Sequence, residues 1–246
     1  DCPPLASSDA EAVADFVARQ GIDLTVVGPE LPLVNGIADK ILAKKRAVFG
    51  PTAKAAQLEG SKAYAKEFMT RHGIPTASYE IFEDPDAALE HVDSRPLPMV
   101  IKADGLAGGK GVFIVETREE ARGAIERLMI QKAFSGAGRR VVVEDCLEGR
   151  EASFFAITDG SRVIPLVTCQ DYKRAYDGDR GPNTGGMGCY SPVLHMGRNI
   201  VADVLERIVG PTIRGIAQDG HPYRGVLYCG LMLTADGPQV LEFNVR

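Results

Sequence analysis

Apolar residues recur along this chain with two different periods, and the switches between them mark its elements. In residues 8–21, Val13, Phe16 and Val17 form a stripe at helical spacing. Ser8 and Glu11 have capping-box spacing, and Gly21 can end the helix. Residues 22–27 read as a strand, Gly28-Pro29-Glu30 as a turn, and residues 33–45 as a second helix with Ile37, Ile41 and Leu42 on one face. Ala47–Phe49 is a short strand. Strand, helix and strand in that order predict a parallel α/β unit.

The grammar then changes. Gly50-Pro51-Thr52 opens a helical segment that runs, with a break at Gly60, to Arg71, where Gly73 and Pro75 end it. Strands at Tyr79–Phe82, Met99–Ala103 and Val112–Val115 alternate with helices opened by Asp84-Pro85 and by Thr117 with Glu120. Strands follow at residues 140–144, 151–158 and 162–168, with Asp159-Gly160 as a hairpin turn. Residues 170–191 read as a long glycine-rich loop, residues 199–218 as a helix, and Gly225–Thr234 as a hairpin with residues 239–245. No repeat or low-complexity segment interrupts this order. The chain starts on a helix without a preceding strand and stops at Arg246 directly after one. Both ends predict an interior piece of a longer protein.

Composition narrows the class. A chain of 246 residues can bury roughly 70–75% of its unfolded surface. A hydrophobic content of 45% with 25% charged residues is ordinary for a globular protein. The net charge of −5 argues against nonspecific nucleic-acid binding. No apolar run approaches the ~20 residues of a bilayer span, so no membrane association is expected. Cys2, Cys146, Cys169, Cys189 and Cys229 are scattered and lack CxxC spacing, which predicts reduced thiols in a cytoplasmic protein. His72, His91, His195 and His221 are isolated and read as surface or cap residues rather than metal ligands.

Residues 100–115 carry the most chemistry. An apolar run ends in Lys102, breaks into a loop with Gly105, Gly108, Gly109, Lys110 and Gly111, and resumes as a second apolar run. Glycines let backbone amides approach an anion, and two ammonium groups beside them suit phosphate. Gly111 follows the lysine where a P-loop needs Ser or Thr, and the β-branched run after the loop argues against a dinucleotide fingerprint. Strand, glycine loop and strand predict a flap over phosphates. A hairpin with a solvated turn is the competing reading.

Glu242, Asn244 and Arg246 alternate on a predicted strand and share a face, with Leu241, Phe243 and Val245 on the buried one. Two oxygen donors beside a guanidinium suit a Mg²⁺–phosphate centre, and a polar face in solvent is the alternative. Glu144 to Glu151 joins two strands and could serve a nucleoside, although acidic turns are common. Asp171-Tyr172-Lys173-Arg174 and the stretch from Gly181 to Gly188 occupy a loop long enough to be functional or disordered. Gly28 to Gly36 follows a strand and precedes a helix, where ligands of open α/β sheets bind and where ordinary turns also occur.

Taken together, GPELPLVNG, FGPTAKAAQLEGSKAYAKEFMTRHGIPTA, IKADGLAGGKGV, GREASFFAITDG, QDYKR, GPNTGGMG, PYRGVLYCGLML and LEFNVR resemble, in family order and over nearly the whole chain, the glycinamide ribonucleotide synthetases of the ATP-grasp superfamily. The resemblance implies a partial N-terminal parallel α/β domain for substrate at residues 1–50, then an ATP-grasp domain pair at 51–246, with 76–144 including the small flap subdomain. The family's extreme N-terminus and C-terminal domain would be lacking. Tyr172, Gly108 and Cys189 depart mildly from the family's usual His, Ala and Ala.

The resemblance also implies roles. Lys62 and Lys102 would contact ATP phosphates, under a flap formed by Gly105, Gly108, Gly109, Lys110 and Gly111. Glu144 with the backbone of Cys146 and Leu147 would hold adenine, and Glu151 the ribose. Glu242 and Asn244 would ligate Mg²⁺, with Mn²⁺ as a substitute. Asp171, Lys173, Asn183, Thr184, Gly185, Gly186 and Arg246 would surround glycine and the amine, with Lys102, Asp171, Lys173 and Arg246 as the catalytic set. Glu30 would face 5-phosphoribosylamine. The implied activity is ATP-dependent joining of glycine to that amine, with no nucleic-acid or membrane partner. Another carboxylate–amine ligase of the superfamily and a noncatalytic nucleotide-binding regulator are the rivals.

Overall fold

The computed structural model describes residues 5–6, 8–108, 110–131, 133–178 and 180–246, without the side chains of Ser135, Arg174, Pro182 and Asn183. Helix α1 (Ala10–Arg19) is capped by Asp9, whose carboxylate accepts from Ala12 N at 3.0 Å. The expected Ser8–Glu11 box is not used. With Asp9 as the cap, Glu11 stands one position too early to reach back, and it pairs instead with Lys40 and Lys44 at 3.0 and 3.1 Å.

Strands β1 (Leu24–Val26) and β2 (Ala47–Phe49) pair in parallel, Thr25 opposite Val48. Between them the single helix expected over 33–45 is two, α2 (Glu30–Val34) and α3 (Ile37–Ala43). Gly36 separates them at φ +87°, a conformation that favours glycine and ends the first helix. Next come α4 (Gln57–Gly60) and α5 (Lys62–Arg71), divided at the extended residue Ser61, whose hydroxyl caps α5 through Tyr64 N at 3.0 Å.

Strand β3 (Tyr79–Phe82), helix α6 (Pro85–Ser94), strands β4 (Met99–Ala103) and β5 (Val112–Val115), helix α7 (Arg118–Ile125) and strand β6 (Val141–Asp145) form one layered unit. Its antiparallel sheet has the order β3-β6-β4-β5. The Thr117–Glu120 capping box at α7 is present in full. Ala88 and Val92 of α6 and Ala121 and Ile125 of α7 pack on Met99, Ile101, Val141 and Val143, a core of its own.

Strands β7 (Arg150–Thr158) and β8 (Val163–Pro165) begin the second large sheet. The segment expected as a loop over 170–191 contains two small ladders. Strand β9 (Gln170–Asp171) pairs with β12 (Cys189–Tyr190), and β10 (Arg174–Tyr176) with β11 (Arg180–Asn183). Helices α8 (Arg198–Val204) and α9 (Gly210–Gln218) are joined through a π-helical turn at Leu205–Val209. Strands β13 (Gly225–Thr234) and β14 (Gly237–Val245) complete the sheet β14-β13-β7-β8. A second core joins α1–α3, α5, α8 and α9 to Phe154, Leu227, Leu231 and Phe243 of this sheet. Helix α1 and the last strand therefore share one core.

Strand β14 departs from strict alternation. Gly230 pairs with Glu242 but Leu231 pairs with Val240, so Leu241 is an extra, bulged residue. Val240, not Leu241, is fully buried beside Phe243 and Val245. Among the described residues, no helix is long and apolar enough to cross a membrane.

Candidate functional site

The two large sheets meet at Lys102. It lies near the end of β4, and its ammonium donates to the carbonyl of bulged Leu241 on β14 at 3.0 Å. The bulge releases that carbonyl from regular pairing and makes it available across the cleft. Lys102 also lies 2.8 Å from Glu144 Oε1, while Lys66 lies 2.7 Å from Glu144 Oε2. Lys66 donates to Thr76 Oγ1 at 2.8 Å, and Thr76 donates to the Val240 carbonyl at 2.7 Å. Side chains of Lys66 and Glu144 are each only 2% exposed.

One carboxylate here serves two ammoniums. Burial works against the Glu144 charge, but Lys102 and Lys66 outweigh it and hold its pKa below the usual value. Lys66 shares that single anion with Lys102, and burial pushes its pKa down to about 8. The cluster carries one positive charge in excess when all three groups are ionised, which suits a polyanion beside it. Both Glu144 carboxylate oxygens are turned into this cluster, and Cys146 and Leu147, both half-buried, follow the end of β6.

Lys62 opens α5 and points its ammonium to the Gly105 carbonyl at 3.3 Å. Burial lowers its pKa, with Glu242 opposing that shift and Lys102 adding to it. The loop between β4 and β5 contains Gly105, Gly108 at φ +57° and Gly111, with Lys110 exposed. Gly109 lies outside the described residues.

A second cluster opens beside the first. Glu151 and Ser153 of β7, Asp171 of β9, Lys173, Tyr228 of β13 and Glu242 of β14 line one small cavity. Lys173 is 4.0 Å from Glu242. Burial opposes the Lys173 charge, yet Tyr228, Glu242, Glu151 and Asp171 together hold its pKa above the ordinary lysine value. Ser153 and Tyr228 hydroxyls are 3.2 Å apart. Glu242 is 36% exposed and too far from Lys173 for a direct hydrogen bond, so its lone pairs remain available to a cation. Asn244 stands two residues on, opposite Tyr228. One carboxylate and one amide oxygen fit Mg²⁺, which commonly takes few protein ligands.

The glycine-rich turn closes onto this cavity through its backbone. Thr184 N and Oγ1 both donate to the Lys173 carbonyl, at 2.7 and 2.8 Å, and Gly186 N donates to Thr184 Oγ1 at 3.1 Å. Asn183 pairs with Arg174 through the backbone, and Gly185 and Gly186 are exposed. Arg246 lies elsewhere along the cleft, 3.0 Å from Glu59 and 3.5 Å from Glu30. Glu59 also accepts from Val245 N at 2.6 Å. Burial raises its pKa, with that amide and Arg246 opposing the shift. Glu30 of the first helical pair thus meets the last residue of the chain.

Sequence reasoning passed over Lys66, Glu59, Asp104, Arg140, Ser153 and Tyr228. Lys66 had a signal, because it stands four residues after Lys62 on the same helix face. Ser153 and Tyr228 sit in neighbouring strands whose register no local pattern could supply.

Two sheets facing across a cleft, a glycine hairpin over one side and buried lysines reaching into it define the ATP-grasp class. The family model described as phosphoribosylglycinamide synthetase, ATP-grasp (A) domain, matches residues 60–246, and that of the N domain matches residues 1–59. The chain therefore belongs to the phosphoribosylglycinamide synthetase family. It is 50% identical over 98% of its length to a phosphoribosylamine–glycine ligase of Yersinia pestis, and 52% identical over 99% to one of Xylella fastidiosa. It spans 57% of the length of each of these relatives. A crystal structure of phosphoribosylamine–glycine ligase from Thermotoga maritima superposes with a TM-score of 0.75 at 44% identity, covering 81% of this chain and 50% of that one.

Proposed function

We propose that this chain carries the ATP and acyl-transfer centre of a phosphoribosylamine–glycine ligase: ATP + glycine + 5-phospho-β-D-ribosylamine → ADP + phosphate + glycinamide ribonucleotide. The observation that carries the proposal is Lys102, buried between Glu144 and the Leu241 carbonyl where the two sheets meet. A cation fixed in that way is preorganised for phosphate.

Glycine's carboxylate is a poor electrophile, because an amine cannot expel an oxide from it. Transfer of the γ-phosphoryl group to that carboxylate gives glycyl phosphate and ADP. The ribosylamine nitrogen then attacks the acyl carbon, phosphate leaves, and the nitrogen loses a proton. No protein nucleophile is required, and burial pushes the Cys229 thiol far up, out of reach of such a role. Positioning and charge neutralisation are the protein's contribution.

Lys62 and Lys102 would hold the phosphates under the 105–111 hairpin, which includes Gly105, Gly108, Gly109, Lys110 and Gly111 and keeps water from the acyl phosphate. The backbone at Cys146 and Leu147 would meet adenine, with Glu144 acting through Lys102, and Glu151 would meet the ribose. Glu242 and Asn244 would hold Mg²⁺ or Mn²⁺, which screens phosphate charge when bound. Asp171, Lys173, Asn183, Thr184, Gly185, Gly186 and Arg246 would bind glycine and receive the amine. Residues 1–50, through Glu30, would present 5-phosphoribosylamine to the ATP-grasp part at 51–246, with the flap subdomain within 76–144. The scattered thiols support a cytoplasmic setting.

The test is phosphate release from MgATP with glycine and freshly generated phosphoribosylamine on the full-length protein, omitting each component in turn. Release that needs all three is expected. Release with another acid or amine, or binding without release, would overturn the substrate assignment.

A further inference from the structure

Helix α5 bears both Lys62 and Lys66, so the placement of its first turn sets where two site ammoniums stand. Its first amides are satisfied from a distance. Lys62 N donates to the Asp104 carbonyl at 2.8 Å, and Ala63 N donates to Asp104 Oδ1, also at 2.8 Å. The local cap, Ser61, donates its own hydroxyl to the same Oδ1 at 2.7 Å. Asp104 Oδ2 accepts from Arg140 Nε and Nη2 at 2.9 and 2.7 Å, and Asp104 N donates to the Arg140 carbonyl at 3.1 Å.

Asp104 directly follows β4 and is two residues from Lys102. Its neighbour Gly105 starts the hairpin, donates to the Ala137 carbonyl at 3.3 Å, and accepts Lys62 Nζ at 3.3 Å. Two segments therefore converge on one side chain at the root of the flap: the start of α5 and the entry to β6, which ends near Glu144. An ordinary helix cap needs only the hydroxyl of Ser61. A carboxylate that also holds a guanidinium and fixes the residue beside the flap does more than cap.

We infer that Asp104 is a positioning residue that locks the Lys62 ammonium to the root of the flap, so that nucleotide meets Lys62 and Lys102 at a set separation. This rests on the ATP reading above, and the test separates the two. The probe is a nonhydrolysable ATP analogue with Mg²⁺, titrated calorimetrically against full-length protein, with thermal unfolding recorded alongside.

Wild type is expected to bind. Asp104→Ala should weaken binding by about 10–100-fold, the range for loss of a contact to a charged group, and Asp104→Asn, which keeps an acceptor for α5, should recover part of that loss. Lys62→Ala should weaken binding too, and Asp104→Ala added to it should cost little more, because the aspartate acts through the lysine. A purely structural role would lower the melting temperature while leaving affinity unchanged or adding its loss to that of Lys62→Ala. Either result overturns the inference alone. Should Asp104→Ala fail to fold, Asp104→Asn in the wild-type and Lys62→Ala backgrounds is read in the same way. Failure of wild type to bind the analogue overturns both the inference and the ATP reading.

Discussion

The cleft contains two acid–base clusters of similar composition and opposite character. In one, Glu144 is sealed between Lys66 and Lys102. In the other, Glu242 stands 4.0 Å from Lys173, half open to a cavity also lined by Glu151 and Asp171. Burial makes the first pairing obligatory, since no water replaces a missing partner. Exposure makes the second exchangeable, since solvent or a cation can take the place of the lysine. A ligase of the kind proposed has use for both: fixed charge where phosphate must be held, and free lone pairs where a metal ion must come and go.

The strongest way to break this contrast is Glu144→Ala, which strands two buried ammoniums. We expect a loss of about 3–5 kcal/mol in stability, measured by urea unfolding, and a loss below about 1 kcal/mol would show the cluster to be wetter than described. Next, Lys102→Ala in the full-length protein should lower turnover on the order of 10²–10³-fold, as removal of one preorganised donor does. Unchanged turnover in a phosphate-release assay would remove Lys102 from the chemistry.

Acid sharpens the comparison. Because Glu144 is held below the usual carboxylate range, the unfolded chain binds more protons as pH drops under about 4.3. Stability from this group is fully present above that pH and is lost as pH falls through its folded pKa. Urea midpoints of wild type and Glu144→Gln should therefore converge with falling pH, and a constant gap would contradict the pairing. The smallest expected stability effect is that of Glu242→Ala, below about 1 kcal/mol for a partly exposed pair, together with a raised Mg²⁺ requirement in the full-length protein. A Mg²⁺ titration matching wild type would exclude Glu242 as a ligand.

Much of the secondary structure was legible where local rules act without competition. Strands β2, β3, β4 and β5 lie at the expected positions, and the Thr117–Glu120 box caps α7. The failures were also local in origin. A cap one residue later disabled Ser8 and Glu11, Gly36 divided a helix whose apolar spacing ran straight through it, and the small ladders of 170–191 pair residues that carry no strand pattern. For the site, Lys102 and Glu242 could be singled out because glycine loops and alternating polar residues are visible in one dimension. The pairings of Lys66 with Glu144 and of Asp104 with Arg140 could not be read there, since the partners stand 78 and 36 positions apart.

The amino-acid order by itself determined the family, the glycine-rich hairpin, most helices and strands, and the chemical types gathered in the cleft, because motifs, caps and periodicity are short-range properties. Tertiary structure alone decided which charges are dry and which are wet. The bulge at Leu241, the burial of Glu144 between two lysines and the convergence of α5 and the entry to β6 on Asp104 all arise from sheet register and packing between distant elements. Those are long-range properties, and no window of sequence contains them.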